Sequence, residues 1–149
     1  MASILKDYSD SNELRMFRGN FYECQKNGTL TPQVQFEYAV CLIRSRNRPE
    51  IKEGITLMEE LYKNKLGGEL HCYLLYLAAG YAKVGEYRSA LVHIKKFLSS
   101  QPNNIQGKEL KKKIMSQLKD DGMKAAAVGG TAALVIGGLV GLGMALMKK

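Results

Sequence analysis

Residues 71–104 read HCYLLYLAAGYAKVGEYRSALVHIKKFLSSQPNN, and their pattern decides the fold. The stretch CYLLYLAAGYA is apolar nearly all round, the mark of a helix enclosed by its neighbours. Gly85-Glu86-Tyr87 makes a turn. Ala90, Leu91, Ile94 and Leu98 then recur at helical spacing and define the inward face of a second helix, which Pro102 stops. Ala78 and Ala90 are small residues placed where two packed helices meet, and Tyr81 is the aromatic filler between them.

A helix pair of this kind fits the 34-residue tetratricopeptide pattern, and such units come in series. Residues 35–68 give a weaker copy, with Tyr38, Ile51, Gly54 and Leu61 in equivalent places and Leu42 where a small residue is usual. Two repeats cannot shield their own end faces, so flanking helices must cap them. A first helix over about 11–26 has Leu14, Phe17 and Phe21 on one face; Asp10 or Ser11 caps its start and Asn27-Gly28 ends it. Thr31 caps a second helix, with Pro32 at its first position, running to about Arg44. A third opens at Pro49. The fourth and fifth form the repeat quoted above, about 69–84 and 86–99. A sixth, about 104–119, buries Ile105, Leu110, Ile114 and Leu118. The expected fold is all-α: a six-helix tetratricopeptide-like solenoid over residues 11–121, behind an N-terminal arm of residues 1–10.

In tetratricopeptide geometry the first helix of each repeat lines a concave groove. Its positions here are Phe36, Ala39, Ile43, Arg46 and Asn47, then Cys72, Leu75, Ala79, Ala82 and Lys83. A surface so largely apolar suits a partner helix or an extended hydrophobic peptide.

Beyond a short hinge at residues 122–124, residues 125–147 form an uncharged run of 23, AAAVGGTAALVIGGLVGLGMALM. As a helix it spans roughly 35 Å, enough to cross a hydrocarbon core of about 30 Å. Lys124 precedes it and Lys148 and Lys149 follow as a basic targeting tail. Only two residues follow the run, so the expectation is post-translational insertion as a tail anchor, with residues 1–124 in the cytosol. The moderate hydrophobicity and flanking lysines suit the mitochondrial outer membrane, and sometimes the peroxisome. Gly129, Ala133, Gly137 and Gly141 form a row of small residues that lets two such helices approach closely, which permits a homo-oligomer. The reading that competes with packing is low hydrophobicity for targeting alone.

The net charge of the 149-residue chain is +8, and much of it lies beside this run. Lys108, Lys111, Lys112, Lys113, Lys119 and Lys124 outnumber Glu109, Asp120 and Asp121. That distribution suits an anionic membrane surface and no nucleic acid. Cys24, Cys41 and Cys72 are odd in number and unpaired in spacing, as in a reducing compartment. His71 and His93 have no ligand partners at metal spacing. No phosphate loop, nucleophile elbow or zinc-protease motif is present, so neither an enzyme nor a cofactor is expected. Arg44, Arg46 and Arg48 either meet an acidic partner or form a solvated helix end.

The runs Gln35-Phe36-Glu37-Tyr38-Ala39 and Cys41-Leu42-Ile43-Arg44-Ser45 resemble the mitochondrial fission 1 proteins. So do Gly54-Ile55, Tyr76-Leu77-Ala78, Glu86-Tyr87 and Ala90-Leu91, together with Leu14, Phe17, Phe21, Gly28 and the Gly-rich tail. The resemblance covers essentially the whole chain. It implies a tail-anchored adaptor on mitochondria and peroxisomes, recruiting a dynamin-related GTPase directly or through adaptor proteins. It also implies a groove that serves as the binding face and an arm that can cover it. Val40 and Tyr81-Ala82 depart from the family pattern and leave the groove emptier. The alternative reading is a docking receptor for another cytosolic protein or chaperone. Against the chaperone form, Ala39, Ile43 and Tyr76 stand where a carboxylate clamp would need Lys, Asn or Arg. A third class, a pore acting through its anchor, would depend on residues 125–149 themselves.

Overall fold

Local chemistry sets the helix boundaries. The computed structural model describes residues 4–6, 8–67 and 70–128. A 3-10 turn over Ile4–Lys6 precedes six α-helices: α1 (Ser11–Asn27), α2 (Pro32–Ile43), α3 (Arg48–Lys63), α4 (Leu70–Lys83), α5 (Tyr87–Ser100) and α6 (Ile105–Val128). No strand occurs among the described residues. Asp10 caps α1 by accepting from the Asn12 N–H, and Gly28 closes it in the left-handed region. Thr31 caps α2 through the Val34 N–H, with Pro32 at its first position. Asn47 caps α3 through the Glu50 N–H, so that the helix begins at Arg48, one residue ahead of the expected start at Pro49. Gly85, at φ +85°, turns α4 into α5 where an L side chain would be strained.

Neighbouring helices pack in series from α1 to α5, and α2 also touches α4. Leu14, Phe21, Tyr38, Cys41 and Leu42 form one apolar cluster. A second gathers Ala39, Ile43, Ile51, Ile55, Met58, Leu61, Tyr73, Leu77 and Val84. Gly54 explains why Leu42 is tolerated where a small residue is usual. A Cβ on Gly54 would lie 2.8 Å from the Leu42 Cβ and 2.9 Å from the Ala39 carbonyl oxygen, so α3 lies directly on α2. The small residue of that crossing has moved to the partner helix.

The first compact unit ends at Ile114 and a second begins at Met115. Three expectations need correction. Phe97 is buried in α5, against Gly107 of α6, while Leu98 and Leu91 are only half-buried. Ile105 is 70% exposed, because it is the first residue of α6 and precedes the turns that bury Leu110 and Ile114. The expected hinge at residues 122–124 is not a break: α6 continues to Val128. A lone glycine costs a helix only about 1 kcal/mol relative to alanine, and three alanines follow at residues 125–127. The expected membrane run shares only residues 125–128 with the described part; the rest of it, with Gly129, Ala133, Gly137, Gly141, Lys148 and Lys149, lies outside the described residues. Among the described residues no helix is long and apolar enough to cross a membrane.

Candidate partner-binding site

The residues expected to line a groove divide into two sets. Ala39, Ile43, Ala79 and Ala82 are buried. Ile43 is a core residue: its side chain packs toward Gly80 and Ile55, between α2, α3 and α4. These four present almost nothing to a partner. Phe36, Cys72, Leu75 and Lys83 are half-buried, and Arg46 and Asn47 are exposed. Phe36 stacks at a tilt on Tyr73, 5.5 Å between centroids, and meets Tyr76 edge-on at 5.9 Å. Asn47 is occupied as the α3 cap.

Lys83, at the end of α4, reaches across to α2. Its ammonium donates to the Ile43 carbonyl at 2.6 Å and to the Ser45 carbonyl at 3.1 Å. Carbonyls at a helix C-terminus lack intrahelical partners and carry partial negative charge, so a cation is favoured there.

The N-terminal arm meets the same region. The Ile4–Lys6 turn contacts α4, and Ile4 is buried. The Ser9 N–H donates to the Arg44 carbonyl at 3.1 Å, and the Ser9 hydroxyl to the Cys41 carbonyl at 2.9 Å. The Arg44 guanidinium donates to the Tyr8 carbonyl at 3.4 Å and pairs with Glu13 at 3.6 Å. Leu5, Tyr8, Ser45, Arg46, Ile51 and Lys83 line an open pocket of about 400 Å³. Tyr8, Leu5, Ser45 and Ile51 were not among the expected groove residues. The one sequence signal for the first of them was an aromatic residue placed two positions before the α1 cap.

The runs that carry the family resemblance serve a different purpose. Tyr38 is fully buried; its hydroxyl donates to Glu53 at 3.0 Å and accepts from Arg18 Nε at 3.1 Å. Arg18 also pairs with Glu50 at 3.1 Å, and the Ser45 hydroxyl donates to the other Glu50 oxygen. Gln35 donates to the Leu57 carbonyl and to Glu60. Burial raises the Tyr38 phenol well above its ordinary value, and the Ser45 hydroxyl holds the Glu50 carboxyl below the usual range, assisted by Arg18. Burial and nearby Glu13 push the Cys41 thiol up to about 11, so it stays protonated and unreactive near neutrality. None of the three cysteines forms a disulfide. These residues join α1, α2 and α3; they are architecture.

Comparison with known proteins agrees with this arrangement. The Fis1 N-terminal tetratricopeptide repeat matches residues 33–65, on α2 and α3, and the Fis1 C-terminal tetratricopeptide repeat matches residues 72–123, from α4 through most of α6. The mitochondrial fission 1 protein of Rattus norvegicus is 37% identical over the whole of this chain and 99% of its own length. The chain belongs to the mitochondrial fission 1 family. The Homo sapiens relative is 36% identical over the same extents. The crystal structure of the Saccharomyces cerevisiae fission protein Fis1 superposes with a TM-score of 0.72 at 23% identity, covering 81% of this chain and 94% of that one. Yeast Fis1 in complex with an Mdv1 fragment containing N-terminal extension and coiled-coil domains gives a TM-score of 0.71, covering 81% and 95%. The fold of the described helices is therefore that of Fis1. The family is one of repeat proteins and not of enzymes.

Proposed function

We propose that this chain is an adaptor for organelle division, held on the mitochondrial outer membrane by residues 125–147 with its helical domain in the cytosol. It recruits a dynamin-related GTPase, directly or through adaptor proteins, and it serves peroxisomes in the same way. The observation that carries this reading is the 37% identity along the whole chain to a protein named for mitochondrial fission. Support for an adaptor partner comes from the yeast relative crystallised with an Mdv1 fragment. The apolar run and its lysines support the anchor.

The binding face is the one formed by α2 and α4. Its accessible side chains are Phe36, Cys72, Leu75, Arg46 and Lys83; the buried alanines set how closely the helices approach beneath them. Ile43→Glu and Ala79→Glu would put a charge into the core and test folding as much as binding. Leu75→Glu is the better probe, because that side chain is half-buried.

The experiment measures dynamin-related GTPase sedimenting with mitochondria from cells lacking this protein, restored with wild type or Leu75→Glu. Wild type should raise it several-fold and Leu75→Glu should not, with both proteins on the membrane. Equal recovery would remove the face from the reading, and no change with either would remove recruitment of that GTPase.

A further inference from the structure

α5 and the first turns of α6 carry most of the net charge of the chain. Residues 87–114 hold seven cations and one carboxylate, a net +6 of the chain's +8. Arg88, Lys95 and Lys96 on α5 and Lys108, Lys112 and Lys113 on α6 are exposed. Among the described residues none of these six is paired with a carboxylate, whereas Arg18 pairs with Glu50 and Arg44 with Glu13. Lys108 and Lys112 stand one turn apart, where like charges repel and weaken a helix. The two helices meet at Gly107, which lies against Phe97 and Leu98.

An apolar residue sits within this charge. Arg88, Val92, Lys95 and Lys96 stand at i, i+4, i+7 and i+8, so they share one side of α5. Val92 is 48% exposed there. Such a surface selects an acidic occupant. A second copy of the chain has little to offer. The four carboxylates of α3, the helix richest in them, are each bonded internally: Glu50 to Arg18, Glu53 to Tyr38, Glu59 to Tyr81 and Glu60 to Gln35. Lipid headgroups would meet the cations but leave Val92 among hydrated phosphates. A polypeptide segment that sets an apolar side chain among carboxylates answers both.

We propose that the α5–α6 surface docks an acidic segment of a cytosolic protein, with Val92 meeting an apolar side chain of that segment and Arg88, Lys95 and Lys96 meeting its carboxylates. This is a second surface, separate from the α2–α4 face, and its occupation requires nothing of that face. Attraction of this kind acts mainly on the rate of association and is weakened by salt.

The test holds the full-length chain in phosphatidylcholine nanodiscs and titrates it into a fluorescent peptide, EEDLEEDLEE, read by anisotropy. Affinity should fall about tenfold between about 50 and about 200 mM salt. Lys95→Glu with Lys96→Glu should weaken binding about tenfold. Lys26→Glu with Lys52→Glu makes the same change in net charge on α1 and α3 and should weaken it less than about twofold. All four lysines are exposed, so helix content by circular dichroism should be unchanged. Glycine in place of the peptide's leucines should weaken binding about threefold. Equal losses in the two double variants would reduce the effect to net charge and overturn the surface. A leucine-free peptide that binds as tightly overturns the role of Val92. Phosphatidylserine vesicles added in trans give the last outcome: if they lose binding to the Lys95→Glu, Lys96→Glu chain while the peptide does not, the surface belongs to lipid and the proposal falls. None of these results bears on GTPase recruitment, which stands on its own measurement with Leu75→Glu.

Discussion

Two tyrosines of this molecule sit beside arginines, and they behave oppositely. Tyr38 is fully buried, with Arg18 6.0 Å from its ring and both hydroxyl bonds made to fixed side chains. Tyr8 is 40% exposed, lies on Arg46, and is anchored mainly through main-chain groups around it. The same pair of residue types gives a buried joint in one place and a solvent-exposed contact in the other. What differs is desolvation. A buried polar group left without its partner costs its full desolvation energy, whereas an exposed one returns to water.

The comparison breaks first at Tyr38. Tyr38→Ala should destabilise the helical domain by about 3–5 kcal/mol through the cavity and the loss of partners for Arg18 and Glu53, seen as a lower urea midpoint. A loss below about 1 kcal/mol would mean that Tyr38 is no more structural than Tyr8. Glu50 sharpens the contrast with an intermediate effect. Its folded carboxyl titrates below the ordinary glutamate value of 4.5. The stability it contributes is therefore complete above that value and is lost as pH falls through the lower folded one. Glu50→Gln should flatten this acid limb of stability against pH; an unchanged limb would show that the Ser45–Glu50–Arg18 chain contributes nothing there. The smallest effect belongs to Tyr8→Ala, which should shift stability by less than about 1 kcal/mol. A cost as large as that at Tyr38 would make the arm part of the core.

The helices were legible because their ends are written in local chemistry: Thr31-Pro32, Asn27-Gly28, Gly85 and Pro102 act through one or two neighbouring residues. The tetratricopeptide register followed from Ala78, Ala90 and the turn between them. Which side of α2 meets a partner was not legible. That helix touches α1, α3 and α4, so its apolar residues point in several directions and periodicity assigns no free face. Ile43 was placed in the groove for that reason, although it lies between three helices. Phe97 was missed because its burial depends on Gly107, ten residues away on another helix. The contact around Tyr8 was out of reach altogether, because it joins an arm residue to a cation of the α2–α3 loop and another at the end of α4. The resemblance runs told the family correctly while pointing at structural residues: Tyr38, Cys41 and Ser45 are buried.

Lys83 also bears on how the protein opens. In a repeat protein each unit contacts mainly its neighbours, and end units can fray independently. Here the last residue of α4 closes the carbonyl end of α2, forty residues earlier in the chain for Ile43. Loosening α4 leaves those carbonyls without their cation. The two repeats are thereby tied into one cooperative unit, and amide protons in both should exchange with solvent through the same opening event.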